Sequence, residues 1–159
     1  MPTAPLIDFD SVQLDHVVAT AEDIRKIIMQ RGRFEMLDGI AHIDTENDLI
    51  VGFTDVAADA WWAADHVPGR PLFPGALMIE AAAQLCTFDF MKRQPEMTDT
   101  FVGFAGVDRV RYRGTVEPEC RMYFAGRVTR IRRTMFTYST QGFVDRKLVY
   151  EGDIMGMVV

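Results

Sequence analysis

The second half of the chain, after residue 100, is a series of segments rich in Val, Phe, Tyr, Thr and Ile. Charged and apolar positions alternate most clearly in Arg109-Val110-Arg111-Tyr112-Arg113, and a period of two is typical of a strand with one buried face. Turn-forming residues separate the segments, among them Glu117-Pro118 and Val144-Asp145-Arg146. The pattern predicts strands over residues 101–107, 109–116, 121–131, 134–144 and 147–158.

One long helix is predicted before these strands, from about Pro74 to Arg93. Proline is tolerated in a first helical turn, Lys92 and Arg93 suit the C-terminal end of the helix dipole, and Pro95 prevents continuation. The helix is apolar on nearly every side, so it must be covered from more than one direction. A curved antiparallel sheet wrapped around it meets this need, and we therefore expect an α+β architecture.

The earlier part of the chain gives weaker signals. We expect an N-terminal lead-in over residues 1–20, a short amphipathic helix over 21–30, a hairpin over 34–53 that turns at 45–48, and an irregular stretch over 54–73. A chain of 159 residues and 18.0 kDa fits one domain, which we place at 21–159.

The composition narrows the class of protein. Apolar residues make up 48% and charged residues 25%, which is ordinary for a globular protein and unlike a disordered one. Two cysteines and three scattered histidines predict neither a disulfide scaffold nor a metal site. The N-terminus lacks a secretory pattern, and the longest apolar stretch, residues 71–90, carries Glu80, Gln84 and Asp89. We therefore expect a cytoplasmic protein without a membrane span.

Charge is distributed unevenly along the chain. Residues 1–90 carry five basic and fifteen acidic side chains, whereas residues 91–159 carry twelve basic and eight acidic ones. Eight arginines fall between Arg109 and Arg133, which is consistent with an anionic partner. The same arginines fit outward-facing positions on strands equally well. A sequence pI near 5.0 and the lack of a recognition-helix motif argue against nucleic acid.

Three polar side chains interrupt the apolar helix. Glu80, Gln84 and Thr87 are spaced by four and three residues, so they lie on one helix face. A buried carboxylate is costly unless it is paired or protonated, and Gln84 is placed to bond Glu80 one turn away. The alternatives are a structural carboxylate satisfied by local donors and a functional one, since perturbed carboxylates cluster at active sites.

A histidine and a glycine complete this segment. His66 lies in a stiff loop rich in proline and glycine, and an imidazole that titrates near neutral pH suits a general base. Gly75 falls in the first helical turn, where backbone N–H groups lack intrahelical partners and can hold a developing oxyanion. Base, acid and oxyanion donors together suit proton abstraction beside a carbonyl, with a group leaving from the next carbon.

The segment HVPGRPLFPGALMIEAAAQ resembles the signature of the hotdog-fold 3-hydroxyacyl-ACP dehydratases, of the FabZ type and more distantly the FabA type. Their pattern opens on His-Phe-Pro, passes a Pro-x-x-Pro-Gly step and continues as Ile-Glu-Ala-x-Ala-Gln. The matching residues here are His66, Pro68, Pro71, Pro74, Gly75, Ile79, Glu80, Ala81, Ala83 and Gln84. The resemblance extends from near Ile24 to the C-terminus.

The resemblance implies a hotdog fold and a homodimer whose sites combine the histidine of one chain with the carboxylate of the other. His66 would take the C2 proton of a 3-hydroxyacyl thioester, and Glu80, oriented by Gln84, would release the C3 hydroxyl as water in fatty acid biosynthesis. No metal or organic cofactor would be needed. The substrate would be linked to acyl carrier protein or CoA, and dimers could assemble into a trimer of dimers. The amides near Gly75 and Ala76 would hold the thioester oxygen, and the acyl tunnel would be lined by Phe73 and Leu77.

Several departures from the family pattern leave alternatives open. Asp65 stands where a small residue is usual, and a carboxylate aimed at His66 would raise its pKa and weaken the base. The family's Pro-His-Arg segment is replaced by Gln30-Arg31-Gly32-Arg33. A thioesterase on the same fold would need only a helix carboxylate to activate water. A non-catalytic acyl-binding protein is the third alternative.

Overall fold

The computed structural model describes residues 3–159. Two short 3₁₀ turns, Gly32–Phe34 and Pro95–Met97, connect larger elements. The elements, in chain order, are β1 (Ala19–Thr20), α1 (Ala21–Arg25), β2 (Gly39–Asp44), β3 (Leu49–Val56), α2 (Gly75–Arg93), β4 (Val102–Tyr112), β5 (Cys120–Ile131), β6 (Met135–Val144) and β7 (Lys147–Val158).

The seven strands form one antiparallel sheet in the order β1-β2-β3-β5-β6-β7-β4. Strands β5, β6 and β7 follow one another as a meander, and β4 returns to the far edge beside β7. The long helix α2 packs against β3, β5, β6 and β7. This is the hotdog fold expected from the sequence, with α2 enclosed by a sheet that curves around it.

The inner face of the sheet and α2 share the main core. Ile50 on β3 points inward with Leu85 and Cys86 of α2, and all three are fully buried. Their neighbours along β3, Leu49 and Val51, point to the outer face. The alternation expected of a pleated strand therefore gives β3 two buried faces.

A buried polar network anchors the C-terminal end of α2 to the sheet. Asp89, only 2% exposed, accepts hydrogen bonds from Tyr138 Oη at 2.5 Å and Arg93 Nε at 2.7 Å. Arg93 also donates to Asp48 in the β2–β3 turn at 2.8 Å. Burial and the Asp89 carboxylate raise the pKa of Tyr138, so it stays a hydroxyl donor. The network ties helix, strand and turn together at one point.

The N-terminal segment is an ordered strap over the outer face of the sheet. Ile7 is 1% exposed and packs with Leu49, Val51, Ala125 and Phe143. Polar bonds hold the strap's backbone, the most direct being the Gln141 side-chain amide, which accepts from Leu6 N at 2.6 Å and donates to Ala4 O at 3.0 Å. We call residues 3–15 the outer strap.

Two predicted elements have different bounds in the structure. The helix expected over 21–30 ends at Arg25, because the Arg31 guanidinium donates to the carbonyls of Arg25, Ile28 and Gln30 and satisfies a looser turn there. The two strands expected on either side of residue 108 are the single strand β4. A bulge lies within it, where Arg109 adopts φ 51° and the pairing with β7 shifts by an extra residue.

The arginines of the second half stand mostly on strand surfaces, as their alternation allows. Arg109 pairs with Asp153 at 2.5 Å, Arg113 with Glu151 at 3.2 Å, and Arg121 binds Asp55 through two nitrogens. Within residues 3–159, no helix is both long enough and apolar enough to cross a membrane.

Candidate active site

The loop before α2 positions His66. Trp62 and Phe73 are buried and pack ring to ring, with centroids 5.2 Å apart, so they fix both ends of the loop in the core. The backbone N–H of His66 donates to Trp62 O at 2.9 Å, and its Nδ1 lies 2.9 Å from Leu72 O. Since a carbonyl only accepts, Nδ1 carries the proton and Nε2 keeps its lone pair. That tautomer is the one a general base needs.

Asp65 precedes His66 in the sequence, but the two side chains form no ion pair within the described residues. Both side chains are exposed, and the Asp65 backbone N–H donates to Trp62 O at 3.2 Å. Within residues 3–159, the ion pairs include none that joins Asp65 to a histidine. The departure from the family pattern therefore leaves the imidazole without a carboxylate partner.

Gln84 orients Glu80. Its side chain is 2% exposed, and its Nε2 donates to Glu80 Oε1 at 2.8 Å and to Phe34 O at 2.7 Å. Its Oε1 accepts from Met36 N at 3.1 Å. Both ends of the amide are thus used, which fixes which end faces Glu80. The carboxylate is half-buried, and among residues 3–159 the bond from Gln84 holds one of its oxygens.

The N-terminus of α2 offers amide donors. The first amides bonded within the helix are those of Leu77 and Met78, which both donate to Pro74 O. Pro74 has no side-chain cap, so the N–H groups of Gly75 and Ala76 face outward from the helix end. Together with the helix dipole, they form a site for a partial negative charge.

Tyr112 explains why residue 75 is glycine. A Cβ at Gly75 would lie 2.6 Å from Cζ of the Tyr112 ring, closer than any real side-chain contact. The ring comes from the end of β4 and is 49% exposed. Sequence reasoning placed Gly75 among the amides of an oxyanion site and missed Tyr112, because nothing in the sequence places the end of β4 against the start of α2.

A pocket of about 210 Å³ opens beside Glu80. Its floor includes Phe136 and Gly156, and a Cβ at Gly156 would lie 2.1 Å from the Phe136 ring. The lining residues are Gln30, Glu80, Ala83, Gln84, Thr87, Phe101, Val102, Gly103, Phe104, Phe136, Ile154, Met155 and Gly156. The three polar residues expected on one face of α2 therefore all line one cavity.

Not every predicted site residue reaches this pocket. His66 does not line it, since its loop precedes α2 and is exposed in the single chain. Phe73 is 3% exposed in the core, Leu77 packs against that core, and Ala76 is exposed. The acyl-lining roles of Phe73 and Leu77 stay predictions. The pocket's Gln30 and Phe101–Phe104 were missed, because they come from loops and an edge strand with no motif.

The two cysteines and the acidic residues offer little other chemistry. Cys86 is fully buried, and burial raises the pKa of its thiol well above the ordinary value, so it is no nucleophile. Within residues 3–159, no three His, Cys, Asp or Glu side chains come together in a way that could hold a metal ion.

A comparison with protein-family models matches residues 28–153 to the FabA-like domain. The chain belongs to the FabA-like family. Among this family's FabZ-type members, the 3-hydroxyacyl-[acyl-carrier-protein] dehydratase FabZ of Herpetosiphon aurantiacus is 33% identical over 140 residues, covering 88% of this chain and 98% of the relative. The FabZ of Teredinibacter turnerae is 33% identical over 136 residues, covering 84% and 92%. The FabZ of Campylobacter jejuni is 28% identical over 139 residues, covering 86% and 94%.

Solved structures agree on the fold of this FabA-like chain. It matches a chain of the dehydratase heterocomplex ApeI:P from Xenorhabdus doucetiae with a TM-score of 0.72 at 10% identity, over 86% of this chain and 90% of that one. A mutant thioesterase from Pseudomonas aeruginosa matches with a TM-score of 0.59 at 14% identity, over 76% and 80%. Identities this low establish the hotdog fold alone.

Proposed function

We propose that this FabA-like chain dehydrates 3-hydroxyacyl thioesters to trans-2-enoyl thioesters in fatty acid biosynthesis. The observation that carries the proposal is the Glu80 carboxylate, held by the buried Gln84 amide at the wall of a pocket. The names of the FabZ relatives, which are dehydratases of acyl-carrier-protein substrates, support it.

The reaction breaks the C2–H and C3–O bonds and forms the C2=C3 double bond. Nε2 of His66 takes the C2 proton, which is acidic because the thioester carbonyl accepts the electron pair. The outward-facing amides at Gly75 and Ala76 stabilise the enolate-like oxygen. Glu80, in its protonated form, donates to the C3 hydroxyl, which leaves as water. Before the next turnover, the proton that His66 gained passes to the Glu80 carboxylate, directly or through solvent, so that both groups return to their starting forms.

A homodimer completes the site in this proposal. Strand β4 is the edge of the sheet, and Phe101, Phe104, Val107 and Tyr112 at or beside it are each more than 40% exposed. An exposed apolar edge is a template for pairing with another strand. Pairing with a second copy would cover Phe101 and Phe104, which also line the Glu80 pocket. His66 of one chain would then meet Glu80 of the other, and a trimer of dimers stays a prediction.

The thioester partner is acyl carrier protein or CoA, and both are anionic. Arg130, Arg132 and Arg133 lie near the β5–β6 turn and are exposed, so they are available to an acidic surface or a phosphate. Such substrates are consistent with the cytoplasmic location expected from the sequence, which stays a prediction.

The test follows the interconversion of crotonyl and 3-hydroxybutyryl thioesters, on CoA and on carrier protein. The wild type is compared with His66→Ala and Glu80→Gln, and circular dichroism verifies that each variant folds. We expect each substitution to lower turnover by about 10²–10⁴-fold, the usual contribution of a general acid or base. His42→Ala, on a half-buried strand residue outside the site, is the matched control.

Three results would overturn the proposal. Release of free thiol without hydration or dehydration would identify a thioesterase. Binding of acyl thioesters without any chemistry would identify an acyl-binding protein, and unchanged turnover in both variants would move the site elsewhere.

A further inference from the structure

A second, smaller cavity lies directly behind the Glu80 pocket. It measures about 20 Å³, and apart from Thr100 its own lining is apolar: Ile27, Ile28, Met29 and Met91. Four residues line both cavities and so form the partition between them: Gln30, Thr87, Phe101 and Val102. Two of the four are polar, and they stand between an acyl-sized pocket and an apolar space.

Gln30 is the more unusual of the two polar residues. Its side-chain oxygen is buried, and within residues 3–159 no donor lies within hydrogen-bond distance. Leaving a buried carbonyl unsatisfied costs about 1–3 kcal/mol. If this position only filled space in the core, we would expect an apolar residue, as at the neighbouring Ile27, Ile28 and Met29. Gln30 also stands in the segment that departs from the family's Pro-His-Arg pattern.

Thr87 sets the distance from the partition to the reaction centre. It lies seven residues after Glu80 on the same face of α2, and a helix rises 1.5 Å per residue, so the two are about 10 Å apart along the axis. A chain bound with its C3 atom at Glu80 and its tail along this face would meet Thr87, and Gln30 on the shared partition, about 10 Å from the reacting atoms. Only a longer chain has to pass them.

We propose that Gln30 and Thr87 form a polar wall that limits the length of the acyl chain accepted by the Glu80 pocket. The inference rests on the proposed dehydratase function and adds its specificity determinant. An apolar tail that ends before the wall leaves both side chains in place. A longer tail must displace them, which brings the Gln30 amide N–H groups and the Thr87 hydroxyl into apolar surroundings, and the loss of their hydration disfavours it.

The test is a chain-length series of 3-hydroxyacyl-CoA thioesters, from four to twelve carbons in steps of two. In the wild type, we expect kcat/KM to fall sharply beyond one chain length. In Gln30→Ala, Thr87→Ala and the double variant, the two cavities merge. Each methylene newly buried contributes roughly fourfold to binding, so two should raise kcat/KM about fifteenfold for the first chain beyond the wild-type limit. The ratio of kcat/KM for this longer chain to kcat/KM for chains below the limit should rise accordingly.

Matched controls remove the same side chains elsewhere. Gln13→Ala and Thr129→Ala replace exposed residues that line neither cavity, and their chain-length profiles should follow the wild type. A limit that stays at the same length in both wall variants and in the double variant would overturn the proposal. So would an equal loss for all lengths, which identifies a merely structural role.

A binding measurement separates this proposal from the proposed function. Calorimetric affinities for trans-2-enoyl-CoA thioesters of the same lengths depend on the wall but not on turnover. If no chain is turned over, the dehydratase function fails, yet the affinity limit should still move to longer chains in the wall variants. If turnover is found and the affinity limit does not move, the wall fails and the function stands.

Discussion

The two faces of the sheet are both covered by apolar residues, but in different ways. The inner face is covered by α2, which brings Glu80, Gln84 and Asp89 into the interior, where each of these side chains is hydrogen-bonded. The outer face is covered by the outer strap, which precedes the FabA-like match at residues 28–153 and buries Ile7. A helix can bring the polar side chains of a site into a core. The outer strap, whose backbone is bonded by side chains of the sheet, covers a surface instead.

The difference has a cause in the backbone. In α2, the main-chain groups are satisfied within the helix, so its polar side chains are free to bond one another and a ligand. The outer strap has no regular structure, and its carbonyls and amides are met by the sheet's side chains, namely Gln141, Arg127 and Tyr123. Polar side chains at the inner face therefore serve both the candidate site, through Glu80 and Gln84, and the anchoring of α2, through Asp89, whereas those at the outer face serve attachment alone.

Removing the outer strap is expected to give the largest loss of stability. Ile7→Ala alone should cost about 2–4 kcal/mol as a large-to-small change in a packed cluster, and deletion of residues 1–14 should cost more. The deleted protein should also self-associate, because the apolar outer face is uncovered. Urea unfolding measures the first effect and light scattering the second.

Val17→Ala is the control for Ile7→Ala, since Val17 is 50% exposed in the same N-terminal segment. Turnover per folded molecule should stay at the wild-type value in Ile7→Ala. A loss of turnover that exceeds the loss of folded protein would mean that the outer face takes part in the inner site, and the contrast between the faces would fail.

Asp89→Ala should be the most damaging single change at the inner face outside the pocket. It leaves Arg93 partly buried without its nearest carboxylate and removes the acceptor of Tyr138, so we expect a loss of about 3–5 kcal/mol. Chemical denaturation measures it, with Asp99→Ala, an exposed aspartate soon after α2, as the control. A loss below about 1 kcal/mol would show that Tyr138 and Arg93 find other partners.

Gly75→Ala tests the contact at the helix start. Replacing a helical glycine by alanine usually stabilises by about 0.4–1 kcal/mol, but here the new Cβ would lie 2.6 Å from the Tyr112 ring. Overpacking in a core typically costs about 1–3 kcal/mol, but the tip of this half-exposed ring can move aside, so we expect the contact to cancel the stabilisation and leave a net change near zero. In a Tyr112→Ala background, the same change should become stabilising. Urea unfolding of the wild type, Gly75→Ala, Tyr112→Ala and the double variant measures the effect in each background. A stabilising effect of the same size in both backgrounds would contradict the clash.

The sequence was sufficient for the elements whose physical signals are local. The Pro-Gly step and the basic last turn define α2, and the spacing of Glu80, Gln84 and Thr87 correctly predicts one shared face and one Gln84–Glu80 bond. Ile7 carried no such signal, because the apolar residues around it, Leu6, Phe9, Val12 and Leu14, keep no single helix or strand period. Tyr112 and Gln30 were missed for a related reason. Tyr112 lies against Gly75, 37 residues earlier, and Gln30 lines the same pocket as Thr87, 57 residues later, and only the folded chain brings these residues together.

A small effect is also expected from the strap's surface ion pair. Arg146 lies 3.3 Å from Asp10 and its guanidinium stands 5.6 Å above the Phe9 ring, but the two side chains are 65% and 90% exposed. Exposed pairs of this kind contribute less than about 1 kcal/mol, and the contribution falls with salt. Arg146→Ala should therefore lower the free energy of unfolding only slightly, and less at 1 M than at 0.05 M salt. An effect as large as that of Ile7→Ala would mean that charge holds the strap in place, since burial alone predicts a clear difference between the two variants.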